Sequence, residues 1–520
     1  MSSSPSASSK HDGRRGAFSS RGVFILAAIG SAVGLGNIWR FPYVAYENGG
    51  GAFMLPYLIA LLAAGLPFLF LDYALGHRSR GSAPLAFIRT DRRLESIGWW
   101  QVAICFFIAV YYAAVLAWAL RYVFFSIDKA WGDAPDEFLF GTFLQAGDPG
   151  VSVDVVAGVL VPLVVVWVTV LVIMAAGVQR GVGATSVVFM PILLITFGAL
   201  VVRALFLPGA SLGLDALFTP DWSALTETSV WAAAFGQIFF SLSVGFGIMI
   251  TYSSYVARRT DMTGSGLVVG FANSGFELLA GIGVFAALGF MAQASGVAVD
   301  EVATSGLGLA FVAFPAIINE APAGALIGVL FFGSLVLAGI TSLVSVIEVV
   351  ISAVRDKFEL SRRAATLWVV VPSALISLAF FSTTSGVYVL DIVDHFINRY
   401  GILVVAVVSM LAVAWVAGAL RPLAEHMNRT GSVPLGRWWR VLIAGVTPAV
   451  LIVVLVRELA ADLGTPYEGY PSWMLWVFGW GSVLVVVVFA LLAARIRWRP
   501  ETSLEVPSDE LVDTNPEVLP

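Results

Sequence analysis

The chain has 520 residues, 59% of them hydrophobic and only 12% charged, with a formal net charge of −5. Soluble domains run near about 45–50% apolar and about 25% charged, so a soluble globular protein is excluded, and the lack of a large basic patch speaks against a nucleic-acid partner. The single cysteine, Cys105, rules out an internal disulfide and reads as a buried, inert thiol.

Residues 1–14 are polar and Ser-rich and read as a disordered cytoplasmic tail. They lack the apolar core of a cleavable signal peptide, so the first span itself is expected to direct insertion. A transmembrane domain then fills 15–498. Twelve stretches approach or exceed the ~20 apolar residues that cross a bilayer: 22–46, 53–75, 99–125, 154–176, 184–205, 229–256, 264–293, 322–354, 366–381, 388–418, 439–458 and 472–494. The fold class is therefore an all-α polytopic membrane protein of about 12 transmembrane helices. Gly49-Gly50-Gly51 reads as a flexible loop, with no strand or basic residue to make it a phosphate site. The stretch 294–321 is apolar enough to form a helical, partly buried loop, and the acidic, Pro-containing 499–520 reads as a second disordered cytoplasmic tail.

Basic residues favour short cytoplasmic loops. Arg14, Arg15 and Arg21 precede the first span, and Arg78, Arg80, Arg89, Arg92 and Arg93 fill the second-to-third connection. Arg258 and Arg259, then Arg355, Lys357, Arg362 and Arg363, then Arg421, Arg429 and Arg437, and finally Arg495, Arg497 and Arg499 fall on the same side. The opposite connections 206–228, 294–321 and 459–471 hold no Lys or Arg. Both termini are thus expected in the cytoplasm of a protein that crosses the cell membrane many times.

Two apolar segments are interrupted by small and hydroxylic residues: Ser31-Ala32-Val33-Gly34-Leu35-Gly36-Asn37 and Ser241-Leu242-Ser243-Val244-Gly245-Phe246-Gly247. An unpaired backbone group in hydrocarbon costs several kcal/mol, so unwound backbone persists at membrane depth only where it lines a cavity or holds a ligand. A pair of such breaks in two halves of a chain points to a secondary transporter with its site near the bilayer midplane. The N–H groups that follow each break favour an anion, of which a carboxylate is the natural example. Free carbonyls with hydroxyl and amide oxygens suit a hard cation such as sodium. No His or Cys cluster has metal-ligand spacing, so no transition-metal site is expected.

The run Gly30 to Tyr43, followed by Glu47-Asn48-Gly49-Gly50-Gly51-Ala52-Phe53, resembles the first-helix signature of the neurotransmitter:sodium symporter family, in its bacterial, chloride-independent, amino-acid-transporting form. Resemblance continues through Gly236 to Ser243, Asn273, Ala338-Gly339-Ile340-Thr341-Ser342, and Asp391 with Asp394, and covers about 15–500. It implies a five-helix inverted repeat, helices 1–5 against 6–10, with helices 1 and 6 unwound. It also implies sodium-coupled symport by alternating access, importing a neutral, hydrophobic or aromatic L-amino acid.

By the same resemblance, a first sodium would be held by Ala32, Asn37, Ser241, Asn273 and the substrate carboxylate. A second would use the carbonyls of Gly30, Val33 and Ala338 with the hydroxyls of Thr341 and Ser342. The substrate pocket would comprise Ser31, Ala32, Leu35, Gly36, Ile108, Tyr112, Phe240, Ser241, Ser243, Phe246, Ser342 and Val346, with Tyr112 bonding the carboxylate. Relatives that carry monoamines place an aspartate where this chain has Gly34, so Gly34 argues for an amino acid. Ser31 and Ser243 leave room for a more polar guest.

Arg40 and Asp394 match an outer gate pair, and Arg15 and Asp356 an inner one, with Tyr255 nearby and Phe18 where tryptophan is usual. Glu277 occupies the place at which chloride-independent relatives carry a glutamate in lieu of the anion, so no chloride requirement is expected. A buried acid there is also a candidate for proton counter-transport, or a structural group bonded to Asn273 or a neighbour. Asp72 and Glu348 are assigned no transport role.

Other classes carry different signatures. A sensor of amino acids that moves nothing would keep the site but add a signalling domain, for which the tails leave little room. A channel would need a continuous pore. An enzyme would need a nucleophile with its base, and His11, His77, His395 and His426 form no such set with the intramembrane serines. A symporter for a different small zwitterion stays open.

Overall fold

The computed structural model describes residues 17–303 and 306–507. Among them there is no strand, only two isolated bridges, Gly50 with Pro220 and Val155 with Thr383. Helices dominate because every backbone polar group in a bilayer must be satisfied within its own segment.

Ten helices are long and apolar enough to cross a membrane, and eleven spans result when the bent pair Arg21–Ala32 and Leu35–Glu47, which turns by 55°, is taken as one. The others are Gly51–Ser79, Arg92–Asp128, Ala157–Ala175, Val178–Leu205, Met262–Ser295, Gly324–Phe358, Arg362–Phe381, Gly386–Val416, Arg437–Gly469 and Ser472–Arg495. The remaining expected span, the sixth, is split into Thr228–Ser241 and Ile248–Ser253. Both interruptions therefore fall where the sequence places them, and the fold is an all-α polytopic one. The ninth span begins four residues earlier than its hydropathy suggests, because Ser361 caps it through the Ala364 N–H (3.3 Å).

The third and eighth spans pack along each other more extensively than any other pair, and the broken first and sixth spans meet beside them. Ser243 Oγ, in the sixth break, donates to Ser31 O in the first at 2.9 Å. Ser243 is left-handed (φ 53°), as are Gly245 and Gly247 (φ 85° and 86°). For serine this conformation costs about 1–2 kcal/mol, offset in part by that hydrogen bond.

Several connections are more ordered than their composition suggests. The second-to-third connection contains the helix Ala83–Thr90, with residues 83–89 all buried. In the 294–321 connection an apolar helix, Gly306–Glu320, brings Phe311 against Trp39, Trp118 and Tyr122. Residues 499–507, read from sequence as the start of a disordered tail, are held to the body instead. The Arg89 guanidinium donates to Ser503 O (2.7 Å), and Thr502 Oγ1 donates to Glu359 Oε1 (2.8 Å). Just before them, Trp498 Nε1 donates to Glu95 Oε1 (2.9 Å), beside the buried Lys357–Glu95 pair (2.6 Å). The N-terminal tail and the rest of the C-terminal one lie outside the described residues.

Candidate functional site

The first break frees backbone groups by steric necessity. Helix Arg21–Ala32 ends at Val33, and Gly34 opens the next half-helix in an extended conformation (φ −130°, ψ −168°). Its N–H donates to Asn37 Oδ1 (2.9 Å), while the Leu35 N–H reaches Tyr112 Oη at 3.5 Å, a long contact. A Cβ on Gly34 would come within 3.1 Å of Ser342 Oγ and 3.4 Å of Tyr112 Oη, and one on Gly36 within 2.1 Å of Phe240 Cε1. Glycine is thus required at 36 so that the backbone can approach the aromatic ring.

Two sets of oxygens converge around this break. Ser342 Oγ lies 3.4, 3.4 and 3.5 Å from the carbonyl oxygens of Gly30, Ser31 and Val33. One hydroxyl proton satisfies only one acceptor at a time, and ordinary O–H···O bonds are near 2.7–2.8 Å. Such a cluster is short of positive charge and is a chemically apt cradle for a hard cation. Thr341 Oγ1, one residue away, donates toward Ala338 O (2.9 Å). In the second set Asn37 Nδ2 donates to Asn273 Oδ1 (2.9 Å), and Asn273 Nδ2 to Ser241 Oγ (3.1 Å). That chain ties the first, seventh and sixth spans together. No group of three or more His, Cys, Asp or Glu suited to a metal exists among the described residues.

All twelve residues that the sequence assigns to a substrate pocket line one cavity of about 600 Å³. Ser31 Oγ, buried at 4% exposure, has no hydrogen-bond partner among the described residues. From this centre the cavity widens past Arg40, Tyr111 and Asp394 to Glu468 and Tyr470 in the connection between the last two spans. Arg40 and Asp394 do not meet: among the described residues no hydrogen bond or ion pair joins them. The Arg40 guanidinium carbon stands 4.5 Å over the Phe240 ring, and Asp394 Oδ1 accepts from Asn398 Nδ2 at 2.7 Å.

The opposite end of the site, toward the basic connections, is closed. Phe18 packs edge-on against Tyr252 and Tyr255. Tyr255 Oη donates to Glu348 Oε1 (2.7 Å), and Arg362 grips both oxygens of that carboxylate at 2.7 and 2.6 Å. Asp356 Oδ2 accepts from the Ser82 N–H (2.9 Å). Arg15, its expected partner, lies outside the described residues.

Glu277 is fully buried and takes hydrogen bonds from Gln237 Nε2 (2.6 Å) and the Tyr57 hydroxyl. It does not bond Asn273, which is committed to Asn37 and Ser241. Asp72, buried as well, accepts the freed Gly245 N–H at 3.2 Å and so supports the sixth break. Cys105, a buried free thiol, lies 3.0 Å from Phe246 O.

Residues 15–142 and 131–501 match the sodium:neurotransmitter symporter family. The chain belongs to that family. It is 40% identical over 485 residues to an uncharacterized sodium-dependent transporter of Methanocaldococcus jannaschii, covering 93% of this chain and 98% of the relative. It is 31% identical to the human sodium- and chloride-dependent GABA transporter 2, covering 96% and 91% of the two chains, and 31% identical to the bovine sodium-dependent dopamine transporter, covering 92% and 74%. Like its family, this symporter is a sodium-dependent transporter that crosses the membrane many times. Relatives named for such different cargoes leave the substrate to the pocket's own chemistry.

Some residues that hold the candidate site are given no role by the sequence alone. Asn398, Gln237 and Tyr57 are polar residues in otherwise apolar spans, a signal that could have drawn attention to them. Asn398 stands four residues after Asp394, the spacing of neighbours on one helix face, whereas nothing in their spacing indicates that Gln237 and Tyr57 hold Glu277.

Proposed function

We propose that this symporter imports a neutral L-amino acid with a hydrophobic or aromatic side chain, driven by two sodium ions and without a chloride requirement. The observation that carries the reading is the meeting, at one cavity, of a half-helix start at Leu35 with the under-donated oxygens around Ser342 and with the amide–hydroxyl chain Asn37–Asn273–Ser241. A substrate carboxylate at that N-terminus gains the half-helix dipole and the Tyr112 hydroxyl. It also completes the first sodium site with Ala32, Asn37, Ser241 and Asn273. The second sodium is assigned to Gly30, Val33, Ala338, Thr341 and Ser342. Because the carboxylate is shared, sodium and substrate raise each other's affinity by the same factor.

Gly34 supports an amino acid over an amine, since no acid stands there to replace a missing substrate carboxylate. Ile108, Phe240, Phe246 and Val346 supply an apolar lining. Glu277 supplies the fixed negative charge near the first sodium that a chloride ion would otherwise provide. The closed end, with Phe18 and Asp356, is assigned to the cytoplasm together with both termini, so the cavity faces outward and Arg40 with Asp394 is its gate; Arg15 is assigned to the inner gate with Asp356 on the family resemblance alone. One observation favours a more polar zwitterion as second reading: the unpartnered Ser31 hydroxyl at the pocket wall.

Radiolabelled uptake into proteoliposomes, under an imposed sodium gradient against potassium and with a panel of neutral amino acids, tests the proposal. Sodium-driven accumulation of a hydrophobic or aromatic amino acid is the expected result. Preference for serine- or threonine-like side chains selects the second reading, and saturable binding without accumulation in tight liposomes selects a sensor.

A further inference from the structure

Around the outer end of the cavity, several charged groups are matched to a partner of opposite charge or to hydroxyls. Arg399 pairs with Glu458 and approaches Asp462 at 3.7 Å, and Asp391 accepts from the hydroxyls of Tyr467 (3.2 Å) and Tyr470 (3.0 Å). Arg40 has neither a hydrogen bond nor an ion pair among the described residues, and rests over Phe240. Its expected partner Asp394 is not idle. Asn398 Nδ2 donates to Asp394 Oδ1 at 2.7 Å and lies 3.4 Å from Tyr111 Oη. Asn398 sits four residues beyond Asp394, in a turn of π-helix spanning Ile397–Ile402. Such local windings recur at functional sites.

We infer that Asn398 is a positioning residue of the outer gate, which occupies the Asp394 carboxylate and so keeps Arg40 away until substrate is bound. This rests on the reading of Arg40 and Asp394 as that gate. A bare carboxylate facing a free guanidinium would close over an empty pocket, because a charge-assisted, bidentate Arg–carboxylate contact is among the strongest side-chain pairings. The Asn398 amide supplies a neutral donor in advance, and closure becomes an exchange of one partner for another. The difference between open and closed states is thereby made small enough for substrate binding to decide it.

The test uses the full chain in proteoliposomes, with Cys105→Ala to clear the native thiol and Ile108→Cys as a reporter deep in the cavity. Labelling by an impermeant methanethiosulfonate from the cavity side, in sodium without substrate, reads the open fraction. Asn398→Ala is expected to slow labelling by about three- to tenfold, Asn398→Gln to preserve it, and Asn398→Ala with Arg40→Ala to restore the parental rate. Asn398→Leu, which keeps the volume, serves where the alanine variant does not assemble. Labelling of Asn398→Ala and Asn398→Leu at the parental rate overturns the inference. So does slow labelling that persists when Arg40 is also removed, because a merely structural loss would not depend on Arg40. In the unmodified background, full sodium-driven uptake by both Arg40→Ala and Asp394→Asn would overturn the gate itself, an outcome separate from the behaviour of Asn398.

Discussion

The two ends of the central cavity are held in opposite ways. At the end with the acidic connections, Arg40 and Asp394 are held apart, Arg40 over the Phe240 ring without a hydrogen bond among the described residues and Asp394 by Asn398, and the cavity is lined by both. At the end with the basic connections, Arg362 and Tyr255 converge on one buried carboxylate, Glu348, while Phe18 wedges between tyrosines. One end is poised to form a contact and the other to release several. Alternating access requires both changes to be driven from the site between them, where the broken first and sixth spans touch both ends.

The largest expected effect removes the link between the ends. Gly36→Val places side-chain atoms where even a Cβ would lie 2.1 Å from Phe240, and equilibrium binding of radiolabelled substrate should be undetectable. Next, Arg362→Ala strips the partner from a carboxylate with no solvent exposure. Breaking such a buried pair costs about 3–5 kcal/mol, so the closed end should loosen. Thiol labelling of Ser345→Cys from the basic-connection side, in the Cys105→Ala background, should rise by more than about tenfold.

Smaller effects sharpen the account of the centre. Ser342→Ala leaves the carbonyls of Gly30, Ser31 and Val33 without their shared hydroxyl, and the sodium concentration for half-maximal uptake should rise by about tenfold. Unchanged sodium dependence would remove the second sodium site from this cradle. Tyr112→Phe deletes one neutral hydrogen bond, worth about 0.5–1.5 kcal/mol, and substrate affinity should fall by about two- to tenfold. Glu277→Ser leaves Gln237 and Tyr57 facing no charge, and its uptake should require chloride where the parent's does not. Chloride-free uptake at the parental rate in that variant would end the charge-replacement reading.

Much of this was legible because a bilayer leaves few choices. Apolar length marks the spans, and Gly34, Gly36, Gly245 and Gly247 mark the breaks, since left-handed or closely approached backbone in a membrane has few other sources. The pocket residues were legible only through a family motif: Phe240 or Val346 alone reads as ordinary packing. Asp72 shows where sequence reasoning stops. Its place in the second span suggests an acid near water, yet it supports Gly245, 173 residues away.

The sequence by itself determined that this is a helical, many-spanned membrane protein with two interrupted helices, because hydrophobic length and backbone satisfaction are local properties of the chain. Only the tertiary structure decided which polar groups meet across it. Glu277 with Tyr57, 220 residues apart, and Ser342 with the Gly30 carbonyl, 312 apart, are pairings that no local pattern encodes. The same holds for the open and closed ends. They depend on which of several competing partners each buried charge takes, and that choice belongs to the packing of whole helices rather than to any segment of sequence.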